Sequence, residues 1–86
     1  MRQNPFHEGT SVLLTLPAAM DVALNIFDVR GRLVRSLIRE NRPQGPQSVE
    51  WNGRDGGGRD VAPGIYFVRL TSGSGYQVCE RVTRVR

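Results

Sequence analysis

The stretch from Trp51 to Leu70, WNGRDGGGRDVAPGIYFVRL, limits the folds open to this chain more than any other. It holds the only tryptophan, three consecutive glycines and a Pro-Gly pair, and then runs into Gly64–Thr71. There Ile65, Phe67 and Arg69 alternate with Tyr66, Val68 and Leu70. Alternation with a period of two is the pattern of a β-strand with two different faces. Ahead of the glycines, Gln47, Val49 and Trp51 alternate with Ser48 and Glu50 in the same way. The stretch reads as the end of one strand, a wide loop over Asn52–Pro63, and a central strand.

The rest of the chain repeats this pattern. Val12, Leu14 and Leu16 alternate with Leu13 and Thr15, until Pro17, which cannot donate to a ladder, ends the strand. In Asp21–Phe27, Val22, Leu24 and Ile26 share one face while Ala23, Asn25 and Phe27 share the other. Asp28–Arg32 is a tight connection in which Gly31 is free to take positive φ. Leu33–Ile38 follows with a broken pattern, Leu33 and Leu37 on one face and Val34 and Ile38 on the other. A bulge or a short edge strand accounts for that break, and a helix is the competing reading, because the same positions fit a 3.6-residue period. Asn41–Pro46 reads as a loop, with two prolines and a glycine. Ser72–Gly75 reads as a hairpin turn. Tyr76–Val85 is the last strand, with Tyr76, Val78 and Val82 on one face and Cys79 as a small, half-buried residue within it. At the start, Asn4-Pro5-Phe6 reads as a turn opener, with Phe6 placed to plug the end of a core.

Short strands separated by turn chemistry, with one apolar and one polar face each, predict an all-β fold. The expected architecture is a small antiparallel Ig-like β-sandwich of six to seven strands, with residues 1–86 as a single domain and a barrel as the alternative. A chain of 86 residues buries about 60–65% of its unfolded surface. That leaves room for a core but not for a deep cleft as well.

Charge and composition exclude several function classes. The net charge is +4, and all twelve basic residues are arginines scattered along the chain. Nucleic-acid binding wants a basic stripe interleaved with stacking aromatics; the six aromatics here fall mostly at core positions, so no nucleic-acid partner is expected. No run approaches the ~20 apolar residues of a membrane span. The opening residues, MRQNPFHEGT, lack the apolar region of a signal peptide. A lone cysteine, Cys79, excludes an internal disulfide.

Three constellations invite a chemical reading. Asp55-Gly56-Gly57-Gly58-Arg59-Asp60 looks like a phosphate cradle, but a cradle needs a helix after its glycines, and Val61-Ala62-Pro63 leads into a strand. Asn52, Asp55 and Asp60 do not match the spacing of a calcium loop. The plainer reading is a loop whose glycines supply unusual φ and whose aspartates bond local N–H groups. His7 beside Glu8 has no serine or cysteine held near it, and Asp28, Glu40, Glu50 and Glu80 are isolated acids. No catalytic residue, cofactor or metal is expected. Gly64-x-Tyr66 instead suggests a tyrosine corner, in which the ring caps the core and the hydroxyl bonds upstream backbone.

Three blocks, NPF…TSVLLTLP (4–17), IFDVRGRLVRSL (26–37) and VEWNGRDGGGRDVAPGIYFVRL (49–70), together resemble the FlgD-like Ig domain. The same pattern marks type A C-terminal sorting domains of the type IX secretion system. The resemblance implies an Ig-like sandwich without catalytic residues. It also implies a role as the C-terminal sorting signal of an exported protein, read by secretion machinery proteins at the outer membrane and covalently linked to an upstream cargo domain. Localisation would then be secreted or cell surface, by way of the periplasm, with the signal peptide on sequence outside this chain. The residues carried over to the sorting motif are Pro63, Gly64, Tyr66 and Val68, then Arg81 where the family usually has lysine, and Arg86; Trp51, Gly31 and Tyr66 carry structural roles. Arginine keeps the charge of lysine but not its ammonium chemistry. The alternatives that the resemblance allows are an Ig-like adhesion or spacer module of an extracellular enzyme, and the Ig-like part of a flagellar hook-capping scaffold.

Overall fold

The computed structural model describes residues 4–6 and 9–85. Among them are seven strands and no helix: β1 (Asn4–Phe6), β2 (Thr10–Leu16), β3 (Met20–Phe27), β4 (Leu33–Arg42), β5 (Gly45–Trp51), β6 (Gly64–Ser72) and β7 (Gln77–Arg84). Five of them form one sheet in the order β1-β7-β6-β3-β4, and β2 and β5 form the second. All pairs are antiparallel except β1 with β7, which run parallel in the register Asn4↔Val82 to Phe6↔Arg84. The fold is therefore the expected sandwich, with one parallel edge.

The alternation read from sequence decides which side chains lie between the sheets. Val22, Leu24 and Ile26 of β3, Tyr66, Val68 and Leu70 of β6 and Val82 of β7 are buried on the inner face of the large sheet. Val12 and Leu16 of β2 and Val49 and Trp51 of β5 meet them from the small sheet. Each fully buried side chain of this size contributes about 1.5–3 kcal/mol relative to exposure. Gln47, a buried polar residue, donates through Nε2 to the carbonyls of Pro43 and Gly45 at 2.7 and 3.0 Å, so its burial leaves no donor stranded.

Four local expectations are corrected. Asn4-Pro5-Phe6 is a strand rather than a turn; proline is tolerated there because β1 is an edge strand with a free side. The expected loop over Asn41–Pro46 shrinks to Pro43-Gln44, because β4 continues to Arg42 against Met20 and β5 begins at Gly45. Asn41 Nδ2 donates to Asp21 Oδ1 at 3.1 Å along that extension, a polar cross-strand pair that apolar periodicity does not reveal. The last strand starts at Gln77 rather than Tyr76. Cys79 is exposed rather than half-buried, because it faces outward from β7 opposite Arg69, where no second layer covers the sheet. His7, Glu8 and Arg86 lie outside the described residues, and so does the side chain of Phe6.

The broken pattern of Leu33–Ile38 has a clear origin. Phe27 pairs with Leu33 but Ile26 pairs with Arg35, and Asn25 pairs with Ser36 but Leu24 pairs with Ile38. Val34 and Leu37 are the extra residues of two bulges. Each bulge shifts the inward phase by one residue. Val34, Leu37 and Ile38 all pack on the core as a result. Two bulges a few residues apart imitate a helical period in a strand.

Candidate functional site

The Pro63–Val68 strand and its surroundings divide into residues that hold the fold and residues that face solvent. Tyr66 and Val68 point inward and are 7% and 1% exposed. The Tyr66 hydroxyl donates to the Ala62 carbonyl at 2.6 Å, which is the geometry of a tyrosine corner. Its ring packs edge-on against Trp51, with centroids 5.5 Å apart and planes at 67°. Burial pushes the Tyr66 phenol above its ordinary 10.0; the Asp28 carboxylate adds to the rise, and Arg84 opposes it. Trp51 is buried and donates through Nε1 to the Arg54 carbonyl at 2.9 Å, so its polar end fastens the start of the wide loop.

The loop itself is built from a turn that the chain uses elsewhere. Asp55 N donates to Arg59 O at 2.8 Å, and Gly58 N donates to Asp55 O at 3.0 Å. Asp55 Oδ1 accepts from Gly57 N at 2.9 Å and Arg59 N at 3.0 Å. In the β3–β4 hairpin Asp28 N donates to Arg32 O and Gly31 N to Asp28 O, both at 3.0 Å, while Asp28 Oδ1 accepts from Arg30 N at 2.9 Å and Arg32 N at 3.0 Å. Gly31 and Gly58 take φ of +82° and +84°. Both are type I turns closed by a left-handed glycine. The aspartates are thus turn builders. The backbone N–H groups of Arg32 and Arg30, with the Arg32 guanidinium, hold the Asp28 carboxyl below its ordinary value. Gly56 N donates to Val34 O at 3.0 Å, which joins the second turn to the first bulge of β4.

Between the two turns lies an open groove of about 560 Å³, lined by Asp28, Arg32, Leu33, Val34, Asp55, Gly56, Gly57, Asp60, Val61, Ala62 and Tyr66. Among the described residues, no group of three or more His, Cys, Asp or Glu is placed to hold a metal ion. Asn52 and Asp55, candidates for a calcium reading, spend side-chain oxygens on local partners. Asn52 Oδ1 accepts from Arg54 N at 3.0 Å and from the Arg35 guanidinium at 2.8 Å.

Two other motif residues, Pro63 and Arg81, reach the surface. Pro63 is exposed at the foot of β6, and Arg81 is exposed on β7. Arg81 stands opposite Phe67, which pairs with Phe27, which pairs with Leu33. These four residues form one row across the outer face of the large sheet. Leu33 is 58% exposed and Ile65, two residues from Phe67 on the same face, is 38% exposed. The Arg69 guanidinium lies over the Phe27 ring, 4.7 Å from its centroid. This apolar and cationic row is absent from the motif read in sequence. Its signal was present in the alternation, which puts Phe27 and Phe67 on the faces opposite the core. By contrast Arg84, three residues further along β7, turns to the loop and donates to Gly53 O at 3.0 Å.

Comparison with known proteins bears on the family and the fold. The model of the FlgD Ig-like domain family matches residues 2–75. No curated protein sequence matches the chain. Among solved structures, the chain is similar to FlgD from P. aeruginosa, at 24% identity and a TM-score of 0.73, over 86% of this chain and 59% of that one. It is similar to PorU from Porphyromonas gingivalis, crystallised as a latent dimer, at 22% identity and a TM-score of 0.75, over 95% of this chain and 8% of that one. It is also similar to PorZ, described as an essential surface component of the type IX secretion system of P. gingivalis, at 26% identity and a TM-score of 0.55, over 78% of this chain and 8% of that one. The chain thus spans just over half of the first structure and less than a tenth of the other two.

Proposed function

The chain belongs to the FlgD Ig-like domain family, and on that premise we propose that it is a non-catalytic sorting module that directs an exported protein through the type IX secretion system to the cell surface. The observation that carries this reading is the split within the motif. Tyr66 and Val68 are consumed by the core, while Arg81 ends an outward row with half-buried Phe67 and Phe27 and exposed Leu33. A motif whose tyrosine and valine are buried cannot be read as an extended peptide without unfolding the domain. What secretion machinery at the outer membrane meets is therefore a folded sheet face. Arginine and aromatic side chains are enriched in protein interfaces, which suits that face to a protein partner. The likeness to PorZ, a type IX surface component, supports this reading. The cargo is then a covalently linked upstream domain, and the destination is the surface or the medium by way of the periplasm.

A fusion of the chain to a periplasmic reporter, in a host with the secretion system, tests the proposal. The reporter is expected at the cell surface or in the medium. Arg81→Glu should hold it in the periplasm with the domain still folded by circular dichroism, and Arg81→Lys should restore export. A wild-type fusion that folds and stays in the periplasm defeats the sorting reading. The likeness to FlgD favours a second reading, an Ig-like spacer or the Ig-like part of a hook-capping scaffold, which that outcome would support.

A further inference from the structure

We infer that the free edge of β2 is a strand-pairing site for a second copy of this chain. The orientation of its backbone groups follows from two prolines. Leu16 pairs with Gly45 and Thr15 with Pro46. Pro46 has no N–H to donate to Thr15, and Pro17 none to donate towards β5. The bonded pairs of this ladder are therefore Thr10↔Trp51, Val12↔Val49, Leu14↔Gln47 and Leu16↔Gly45, because bonded and non-bonded pairs alternate in an antiparallel ladder. The N–H and C=O groups of Ser11, Leu13 and Thr15 face the other way. Among the described residues no strand pairs with that side of β2. One group there has a partner, since the Tyr76 hydroxyl donates to Thr15 O at 3.4 Å, long for an O–H···O bond.

The other free edges carry guards. On β5 the groups facing away from β2 belong to Pro46, Ser48 and Glu50, a proline and a charge in three positions. On β4 the edge carries two bulges, three arginines and a glutamate. On β1, Pro5 interrupts the row. These are the devices that keep sheet edges from pairing. In contrast β2, TSVLLTL, has no charge, no proline and no bulge, and its outward Leu13 is 61% exposed.

The occupant is a second copy because the edge is complementary to itself. A two-fold axis at Leu13 sets Leu13 on Leu13 and Ser11 on Thr15, each pair exchanging two backbone hydrogen bonds. The apolar side chains cover each other, and the hydroxyls meet in cross-strand pairs. Two copies of a chain with net charge +4 repel each other wherever arginines meet, and β2 contributes none. Its nearest charge, Glu50 on β5, is bonded to Ser11 Oγ at 2.7 Å. The result is a four-stranded sheet, β5-β2-β2-β5, with an isologous interface. A stable interface buries about 1,200–2,000 Å²; a single seven-residue ladder falls short of that, so the dimer is weak and concentration-dependent. The Tyr76 hydroxyl competes with it, because Ser11 N of the other copy must displace that hydroxyl from Thr15 O.

Sedimentation equilibrium of the 86-residue chain over a wide concentration range is the test. A reversible monomer–dimer equilibrium is expected. Leu13→Lys places two ammonium groups face to face and should raise the dimer dissociation constant by at least about tenfold, with the unfolding midpoint unchanged because the side chain is exposed. Tyr76→Phe should shift the equilibrium the other way. In a Cys79→Ser background, Leu13→Cys should form a dimer disulfide in oxidised glutathione, since bonded antiparallel partners lie about 5.5 Å apart at Cα, within disulfide reach. A chain that is monomeric throughout, or a dimer that Leu13→Lys leaves intact, overturns the inference.

Discussion

The turns Asp28–Arg32 and Asp55–Arg59 share an Asp-x-x-Gly-Arg spelling and the same four hydrogen bonds, yet they occupy unlike places. The first joins two strands of the large sheet, and its flanks are fixed by the β3–β4 ladder. The second sits inside the connection from β5 to β6, and its flanks touch through one isolated bridge, Arg54↔Asp60. What replaces the ladder is a ring of tertiary ties: Trp51 Nε1 to Arg54 O, Gly56 N to Val34 O, and Val61 N to Gly53 O. The turn is therefore set by five residues of local chemistry, and the context decides only how firmly it is held. Ser72–Tyr76 makes the point again with a weaker anchor. Ser72 N donates to Tyr76 O at 3.0 Å and Gly75 N to Ser72 O at 3.1 Å, but the side-chain bond, Ser74 N to Ser72 Oγ, stretches to 3.3 Å.

The comparison breaks most readily at its glycines. A Cβ built on Gly31 or Gly58 meets nothing within 4 Å, so Gly→Ala at either position costs backbone strain alone. That cost is about 1–2 kcal/mol for an L-residue held at positive φ. Gly31→Ala and Gly58→Ala should each lower stability by this amount in urea unfolding. Equal losses mean that the second turn unfolds together with the sandwich. If Gly58→Ala proves neutral while Gly31→Ala does not, the second turn opens on its own, and the tertiary ties are weaker than a ladder.

Tyr66 connects the two turns, and its removal comes next in size. Its hydroxyl ends on Ala62 O, just past the second turn, and its phenol responds to the Asp28 carboxylate of the first. Tyr66→Phe deletes one part-buried hydrogen bond, to the Ala62 carbonyl, for a loss of about 1 kcal/mol by thermal or urea unfolding. The alkaline limb gives a second readout. The folded phenol titrates above its unfolded value, so the stability that it contributes is complete below pH 10 and is lost as pH rises through the folded value. Tyr66→Phe should remove that share of the alkaline loss. An unchanged midpoint at neutral pH would mean that the corner hydrogen bond adds nothing beyond solvation.

These turns also mark where the sequence was legible. Alternation in Val22–Ile26 and Tyr66–Leu70 placed the core correctly, because a strand in a two-layer sandwich has one dry face and one wet face. Gly64-x-Tyr66 was readable as a corner because the motif fixes both the hydroxyl and its partner. Bulges hid the phase of β4, since nothing in Val34 or Leu37 says which residue is the unpaired one. Polar pairing hid the extension of β4 to Arg42, where Asn41 and Asp21 hold each other without an apolar face. Of the motif residues, Tyr66 and Val68 proved to be core. The outward row of Leu33, Phe27, Phe67 and Arg81 depends on a register between four strands that no single segment encodes. The repeated Asp-x-x-Gly-Arg spelling was visible, and taking it at face value as a repeated turn would have given structure to what read as a wide loop.

The smallest effect expected is also the most specific to one turn. In the Asp28 turn the carboxylate accepts from two backbone N–H groups and carries an ion pair to Arg32 Nε at 3.1 Å, with the Arg32 side chain largely exposed. The folded carboxyl consequently titrates below its ordinary 3.8. A depressed carboxylate stabilises the folded state above its unfolded value, and this contribution disappears as pH falls from there through the folded value. Acid titration followed by circular dichroism should therefore show a small loss of stability beginning near pH 4. Asp28→Asn should flatten this loss while keeping one side-chain oxygen for the Arg30 and Arg32 N–H groups. The ion pair to Arg32 is solvent-screened, so added salt should leave most of the wild-type effect in place. If salt abolishes it instead, the Arg32 guanidinium rather than the turn backbone sets the titration, and the two Asp-x-x-Gly-Arg turns differ in their electrostatics despite their common geometry.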